Sequence, residues 1–226
     1  MIPIRDTVKS RTFPYINLAI IIINVLIFLA EISLNNSQLT ELFYRTGIVP
    51  SMFFAATGEG NYLGAVVPLI TATFMHGGWL HIVSNMLFLW VFGDNIEDRI
   101  GHFKYFVFYV LVGMTGNISQ VMANPASTVP VIGASGAVAG ILGAYYLSFP
   151  RSRILALIPI FFFFTFLEVR ASLFIILWFL LQVFNGVFSL GVVGNSVAWW
   201  AHIGGFLGGY FLIRFFPQQN KLIYVE

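Results

Sequence analysis

The sequence contains no cysteine and very little charge. Only 9% of its 226 residues are charged, whereas soluble domains carry roughly 25%. The absence of cysteine excludes a disulfide scaffold and a thiolate metal site. The scarcity of charge excludes a soluble globular enzyme, because so few charged groups could not keep a folded surface in water. The formal net charge of +2 gives no reason to expect a nucleic-acid partner.

Apolar residues make up 58% of the chain and the mean hydropathy is +0.88, which excludes intrinsic disorder and favours a polytopic membrane protein. A membrane-spanning helix needs about 20 mostly apolar residues. Six segments approach this requirement: 15–32, 79–92, 105–122, 132–149, 172–190 and 197–216. We therefore predict an all-α membrane protein in which residues 1–226 form a single domain of six spans.

Two stretches fit this scheme less easily. Residues 33–75 are too polar to span and too apolar for a free loop, so we expect a structured segment at the membrane surface. Residues 154–170 are apolar, but Pro159 interrupts them and the next span follows without room for a reversal. An interfacial or re-entrant element is expected there.

The basic residues support six spans with both termini on the cytoplasmic side. In this topology Arg45 alone lies outside, and seven spans would distribute the basic residues far more evenly. A strong excess of Lys and Arg on the inner side is typical of membrane proteins. The residues assigned to the inner side are Arg5, Lys9, Arg11, Arg99, Lys104, Arg151, Arg153, Arg170, Arg214 and Lys221.

Polar side chains occur inside four spans, where they are costly and therefore candidates for function. Span two begins with His81 and Asn85, which lie four residues apart on one helix face. Span four begins with Ser135, and span six begins with His202. The topology places all four side chains in the outer half of the membrane. Such groups can supply a nucleophile, a base and oxyanion donors.

Small residues accompany these polar groups. Gly133 and Gly136 flank Ser135, while Gly205 and Gly209 follow His202 on its own helix face. Small residues allow helix backbones to approach closely in lipid. We expect spans four and six to pack together and to bring Ser135 near His202.

No acidic residue lies in the outer half of spans two, four or six, which favours a Ser135–His202 dyad over a triad. His81, Asn85 and the backbone N–H of Ser135 are candidate oxyanion donors. Asn117 and Gln120 in span three are expected to join helices. Asp94, Glu97, Asp98 and Arg99 are expected to form a solvated inner loop.

From Pro50 to Arg214 the sequence resembles the rhomboid intramembrane serine proteases. The resemblance is carried by TFMHGGWLHIVSNMLFLWVFGDNIEDRIG, by GASG around Ser135 and by AHIGGFLGG around His202. It implies Ser135 as nucleophile, His202 as general base, and His81, Asn85 and the Ser135 amide as the oxyanion hole. It also implies a structural role for His76, an E-x-R-x-G element at Glu97, and a membrane-embedded first loop in the segment 33–75.

One position departs from the family pattern. Some rhomboids have a tyrosine four residues after the serine, where it stacks on the histidine, and this chain has Ala139 there. His202 must therefore be positioned by other groups. The resemblance otherwise implies the minimal six-span form of the family, without a sizeable soluble domain.

The sequence fits several other functions less well than it fits proteolysis. A zinc protease would need H-E-x-x-H, which the sequence lacks, and an aspartyl intramembrane protease would need two buried aspartates. A transporter would be expected to carry an ionisable pathway across the whole membrane. An inactive rhomboid-like protein that binds transmembrane helices is the remaining alternative.

The expected activity is cleavage of a peptide bond within or next to the transmembrane segment of a membrane protein. The expected partners are such substrates and the lipid bilayer, with no metal, other cofactor or nucleic acid. The compact size favours a prokaryotic inner membrane.

Overall fold

The computed structural model describes residues 2–160, 163–190 and 197–219. Lys221, which the topology prediction places on the inner side, lies outside these residues. The described part is mostly helical. Its α-helices are α1 (Tyr15–Glu31), α2 (Asn36–Thr46), α3 (Pro50–Gly58), α4 (Tyr62–Thr71), α5 (Trp79–Ile100), α6 (His102–Ala123), α7 (Ser135–Ser148), α8 (Ala171–Phe188) and α9 (Trp199–Leu212).

Each of the six predicted spans overlaps one helix: α1, α5, α6, α7, α8 and α9 in chain order, with α5 continuing beyond its predicted end at residue 92 to Ile100. Among the described helices, α6 and α8 are long and apolar enough to cross a membrane. The segment Tyr62–Phe74 and α5 could form a third span together, although they meet at 86°. The number of spans and the sides of the two termini stay predictions.

The segment 33–75 is structured, as the sequence predicts. It contains α2, α3, α4 and a short 3₁₀ helix at Ala72–Phe74. Asn35 accepts a hydrogen bond from the backbone of Gln38, whose side chain accepts one from Asn35 in return. This reciprocal cap explains why α2 begins where it does.

The prediction of an all-α fold is wrong, because the structure contains a three-stranded antiparallel sheet. Its strands are β1 (Ile2–Asp6), β2 (Arg153–Ile160) and β3 (Phe163–Arg170), in the order β1-β2-β3. The strands β2 and β3 pair as a hairpin, from Arg153 opposite Arg170 to Ile160 opposite Phe163. Branched and aromatic residues dominate both strands, and such residues favour extended structure. The segment 154–170 is therefore a hairpin, and the rejection of a seventh spanning helix there is confirmed.

The prediction of a solvated loop at residues 94–99 is also wrong. These residues form the last turns of α5, and the Glu97 side chain is fully buried. Its carboxylate accepts hydrogen bonds from the backbone N–H groups of Ile16 and Asn17, at 2.9 and 2.7 Å. An anion is stabilised at this position because the first N–H groups of a helix have no partners within it. The acidic stretch thus fixes the beginning of α1.

The N-terminal segment, the end of α5 and the C-terminal segment meet at one end of the molecule. Ser10 donates to Asp94 at 2.7 Å, and the backbone N–H of Gln219 donates to the carbonyl of Arg99 at 2.8 Å. Asp6 accepts from the hydroxyl of Tyr145 in α7. These contacts connect the N-terminal segment, the end of α5, α7 and the C-terminal segment.

Candidate active site

Ser135 is the first residue of α7, and the backbone just before it has an unusual conformation. Gly133 has a φ of +125°, which side chains of L-residues rarely adopt. A Cβ atom on Gly133 would lie 2.5 Å from Nε2 of His81 and 3.7 Å from Oγ of Ser135. Glycine at this position therefore allows Ser135 and His81 to approach the same point.

His202 lies in the first turn of α9, whose N-terminus is capped by a neighbouring helix. Oε1 of Gln120 in α6 accepts hydrogen bonds from the backbone N–H groups of Trp200 and Ala201, at 3.1 and 3.3 Å. Nδ2 of Asn117 donates to the carbonyl of Leu69 at 2.8 Å. The prediction that Asn117 and Gln120 join helices is confirmed.

The helices that carry Ser135 and His202 pack together with their backbones in contact. A Cβ atom on Gly205 would overlap the carbonyl oxygen of Gly136, and one on Gly209 would overlap that of Gly140. The glycine faces predicted from the sequence therefore lie in the contact between α7 and α9. This contact brings the first turns of the two helices side by side.

His81 and Asn85 project from one face of α5. Nδ1 of His81 accepts a long hydrogen bond from the backbone N–H of Gly77, at 3.4 Å. That bond favours the tautomer in which Nε2 carries the hydrogen. Asn85 is 5% exposed, and its Nδ2 has no hydrogen-bond partner among the described residues. Both side chains thus present donors that a substrate oxygen could use.

His76 lies behind His81. It is buried, its ring centroid is 5.1 Å from that of His81, and its backbone N–H points to both carboxylate oxygens of Glu31 at 3.2 Å. His76 is therefore placed to support His81. Glu31 belongs to the first span, which is not one of the three spans that carry the predicted site residues.

One cavity joins the predicted site residues. It has a volume of about 1420 Å³, and Ser135, His202, His81 and Asn85 all line it. The loop 124–132 and the side chain of Trp178 contribute further walls. The structure thus brings all four side chains to one concave surface. The other predicted site residues do not line the cavity: His76, Gly133, Gly136, Gly205 and Gly209.

In the described part of the chain, no group of three His, Cys, Asp or Glu side chains could hold a metal ion.

Gln182 of α8 is a site residue that the sequence reasoning missed. It lines the same cavity, and its Oε1 lies 2.8 Å from Nδ1 of His202. The signal was present, because Gln182 is a polar residue inside an apolar predicted span. Its contact with His202, however, depends on how α8 is rotated against α9.

The fold and the site together define a mostly helical protein with a cavity whose lining includes Ser135, His202, His81 and Asn85. Residues 63–219 match the family model of the Rhomboid domain, which covers more than half of the chain. The chain belongs to the rhomboid family. The apolar helices and the family together make it a membrane protein.

Curated relatives come from bacteria, plants, yeast and mouse. The chain is 28% identical to the rhomboid protease GluP of Bacillus subtilis over 201 residues, which is 88% of the chain and 34% of that relative. It is 28% identical to the putative rhomboid protease YdcA of the same organism over 154 residues, 68% of each protein. It is 31% identical to RHOMBOID-like protein 5 of Arabidopsis thaliana over 144 residues, 64% of the chain and 42% of that relative. The match to GluP and to the plant protein spans less than half of their lengths.

Proposed function

We propose that the chain is an intramembrane serine endopeptidase. It hydrolyses a peptide bond within or next to the transmembrane segment of a membrane protein, with Ser135 as nucleophile and His202 as general base. The observation that carries this proposal is the shared cavity, which is lined by Ser135, His202, His81 and Asn85. Relatives named as proteases, GluP and YdcA, support it.

The first half of the reaction forms an acyl-enzyme. Oγ of Ser135 attacks the carbonyl carbon of the scissile bond while Nε2 of His202 removes the hydroxyl proton. The negative charge moves to the former carbonyl oxygen, which His81, Asn85 and the Ser135 N–H stabilise by hydrogen bonds. The C–N bond then breaks, and His202 returns the proton to the departing amine.

The second half repeats these steps with water as the nucleophile. His202 removes a proton from water, the resulting hydroxide attacks the acyl carbon, and the Ser135 oxygen leaves with that proton. Lipid holds no water, so the water must reach Ser135 through the cavity. The loop 124–132, which lines the cavity, supports access from the outer side of the membrane.

The rest of the proposal concerns the whole protein. Residues 1–226 form one domain with six spans and cytoplasmic termini, and the first loop is embedded in the membrane. We place it in the cell membrane of a prokaryote, because the relatives GluP and YdcA come from Bacillus subtilis. Some relatives are named as chloroplast or mitochondrial proteins, so an organellar membrane is the alternative location.

The decisive experiment measures cleavage of a single transmembrane helix with a soluble tag on each side. The detergent-solubilised protein should cut this substrate, and Ser135→Ala should abolish cutting while leaving the thermal unfolding midpoint near that of the wild type. A fluorophosphonate probe should label Ser135, and His202→Ala should prevent the labelling. Cleavage by Ser135→Ala would exclude the proposed nucleophile. A wild-type protein that folds and binds the helix but never cuts it would favour the inactive, helix-binding alternative.

A further inference from the structure

Gln182 is a buried amide in a mostly apolar helix. Its side chain is 6% exposed, and it contacts two groups by hydrogen bonds. Its Nε2 donates to the carbonyl oxygen of Trp178, one turn earlier in α8, at 2.9 Å. Its Oε1 lies 2.8 Å from Nδ1 of His202. Both ends of the amide therefore have a partner.

The contact with Trp178 decides which way the amide points. A carbonyl oxygen can only accept a hydrogen bond, so the group that faces Trp178 must be the NH₂ of Gln182. The oxygen of the amide then faces His202. Because this oxygen can only accept, Nδ1 of His202 must carry the hydrogen, and Nε2 of a neutral imidazole is left with a free lone pair.

Two aromatic rings hold the imidazole from other directions. The ring centroid of Trp178 lies 6.0 Å from that of His202 at an interplanar angle of 31°, and the ring of Trp199 lies at 5.9 Å with an edge contact. These rings occupy the surroundings of a histidine for which Ala139 provides no stacking partner. Gln182 and Trp178 both belong to α8, so one helix supplies the hydrogen bond and a flanking ring.

We propose that Gln182 is a positioning residue that holds His202 in the tautomer with Nδ1–H and a basic Nε2. The amide thereby does the orienting work that a carboxylate does in a Ser-His-Asp triad, without a buried charge. This inference rests on the proposed function, because it assigns Nε2 the task of accepting the Ser135 proton. It also predicts a property of the resting protein that is measurable without any substrate.

The kinetic test uses Gln182→Met, which keeps nearly the same volume and removes the acceptor. We expect kcat to fall on the order of 10–100-fold with KM almost unchanged, since the Nδ1–H of His202 loses its acceptor and the tautomer is no longer fixed. Gln182→Glu, which retains an acceptor oxygen, should recover much of the loss. Leu181→Met is the matched control, because Leu181 is the next residue in the chain and its side chain is 58% exposed.

The spectroscopic test uses protein labelled with ¹⁵N-histidine, which contains only four histidines. In mildly alkaline buffer, the His202 signals, assigned by their loss in His202→Asn, should show the Nδ1–H tautomer. In Gln182→Met they should show a mixture of tautomers. A wild-type His202 with its hydrogen on Nε2 would overturn the inference, even if the Met variant failed to fold.

The two tests separate this inference from the proposed function. If the wild type cuts, Ser135→Ala does not, and Gln182→Met cuts with an unchanged kcat, the positioning role is wrong and the protease stands. If Ser135→Ala still cuts while His202 holds the Nδ1–H tautomer only in the presence of Gln182, the proposed nucleophile is wrong and the hydrogen bond stands.

Discussion

Gly205 in α9 packs directly against the carbonyl oxygen of Gly136 in α7, one residue after Ser135. A Cβ atom at position 205 would overlap this oxygen, which belongs to the backbone and cannot move aside as a side-chain end could. The distance between α7 and α9, and with it the approach of His202 to Ser135, is therefore limited by a hydrogen atom rather than by a methyl group. In lipid, such close backbone contact is a main source of helix association.

Replacement of Gly205 by alanine should lower activity and stability together. The added methyl group must push the helices apart, and overpacking of a tight contact costs about 1–3 kcal/mol. A displacement of about 1 Å between catalytic groups can cost on the order of 10²-fold in rate. The measurements are kcat on the tagged helix substrate and the thermal midpoint in detergent. Gly58→Ala is the control, because a Cβ atom there would have no neighbour within 4 Å. Equal behaviour of both variants would show that the contact does not position His202.

Replacement of Asn85 by alanine should reduce kcat without abolishing it. The loss of one oxyanion donor costs about 10²–10³ in kcat in a well-studied serine protease, and His81 and the Ser135 N–H would remain. Fluorophosphonate labelling of Ser135 should slow in parallel, since its transition state also develops negative charge on oxygen. The control is Val83→Ala, at an exposed position on another face of α5. An unchanged kcat would exclude Asn85 from the oxyanion hole.

Replacement of Glu97 by alanine should destabilise the protein, although Glu97 does not line the cavity. It removes a buried carboxylate that accepts from two backbone N–H groups at the start of α1. Hydrogen bonds to a charged group contribute about 1.5–3 kcal/mol each, so the thermal midpoint should fall by several degrees. Glu59→Ala makes the same change at an exposed position and should have little effect. A midpoint equal to the wild type would mean that α1 does not depend on this cap.

Replacement of Asp6 by asparagine should change how stability depends on pH. Burial, reinforced by the nearby charge of Asp94, raises the pKa of Asp6 to about 7, although the hydrogen bond from Tyr145 opposes this shift. The folded state therefore holds a proton that the unfolded chain releases near pH 4. The stability linked to this proton is complete below about pH 4 and is lost as the pH rises towards 7.

The measurement for Asp6 compares the thermal midpoints of the variant and the wild type across this pH range. The asparagine is neutral throughout. The midpoint of the variant should therefore rise relative to that of the wild type as the pH rises. Burial also raises the pKa of Asp94 to about 6, but Asp94 is present in both proteins and affects both curves. A difference that does not vary with pH would contradict the raised pKa of Asp6.

The sequence alone determined where six apolar helices lie, and which polar residues lie inside them. Apolar runs long enough to span, interrupted by Ser135, His202, His81 and Asn85, identified both the class of protein and the candidate site, because a polar group in lipid is costly wherever the helix later packs. The spacing of Gly205 and Gly209 also predicted the α7–α9 contact correctly, since spacing along a helix defines a face.

Only the tertiary structure decided the features that depend on partners distant in the chain. The strand β1 forms because Ile2–Asp6 pairs with β2, about 150 residues later, and no local pattern specifies that pairing. The acidic turn at Glu97 is buried because the beginning of α1 folds over it and supplies its N–H donors. Gln182 contacts His202 because α8 is rotated about its axis so that Gln182 faces α9. Since α8 is mostly apolar, its hydropathy pattern does not define which face turns towards α9.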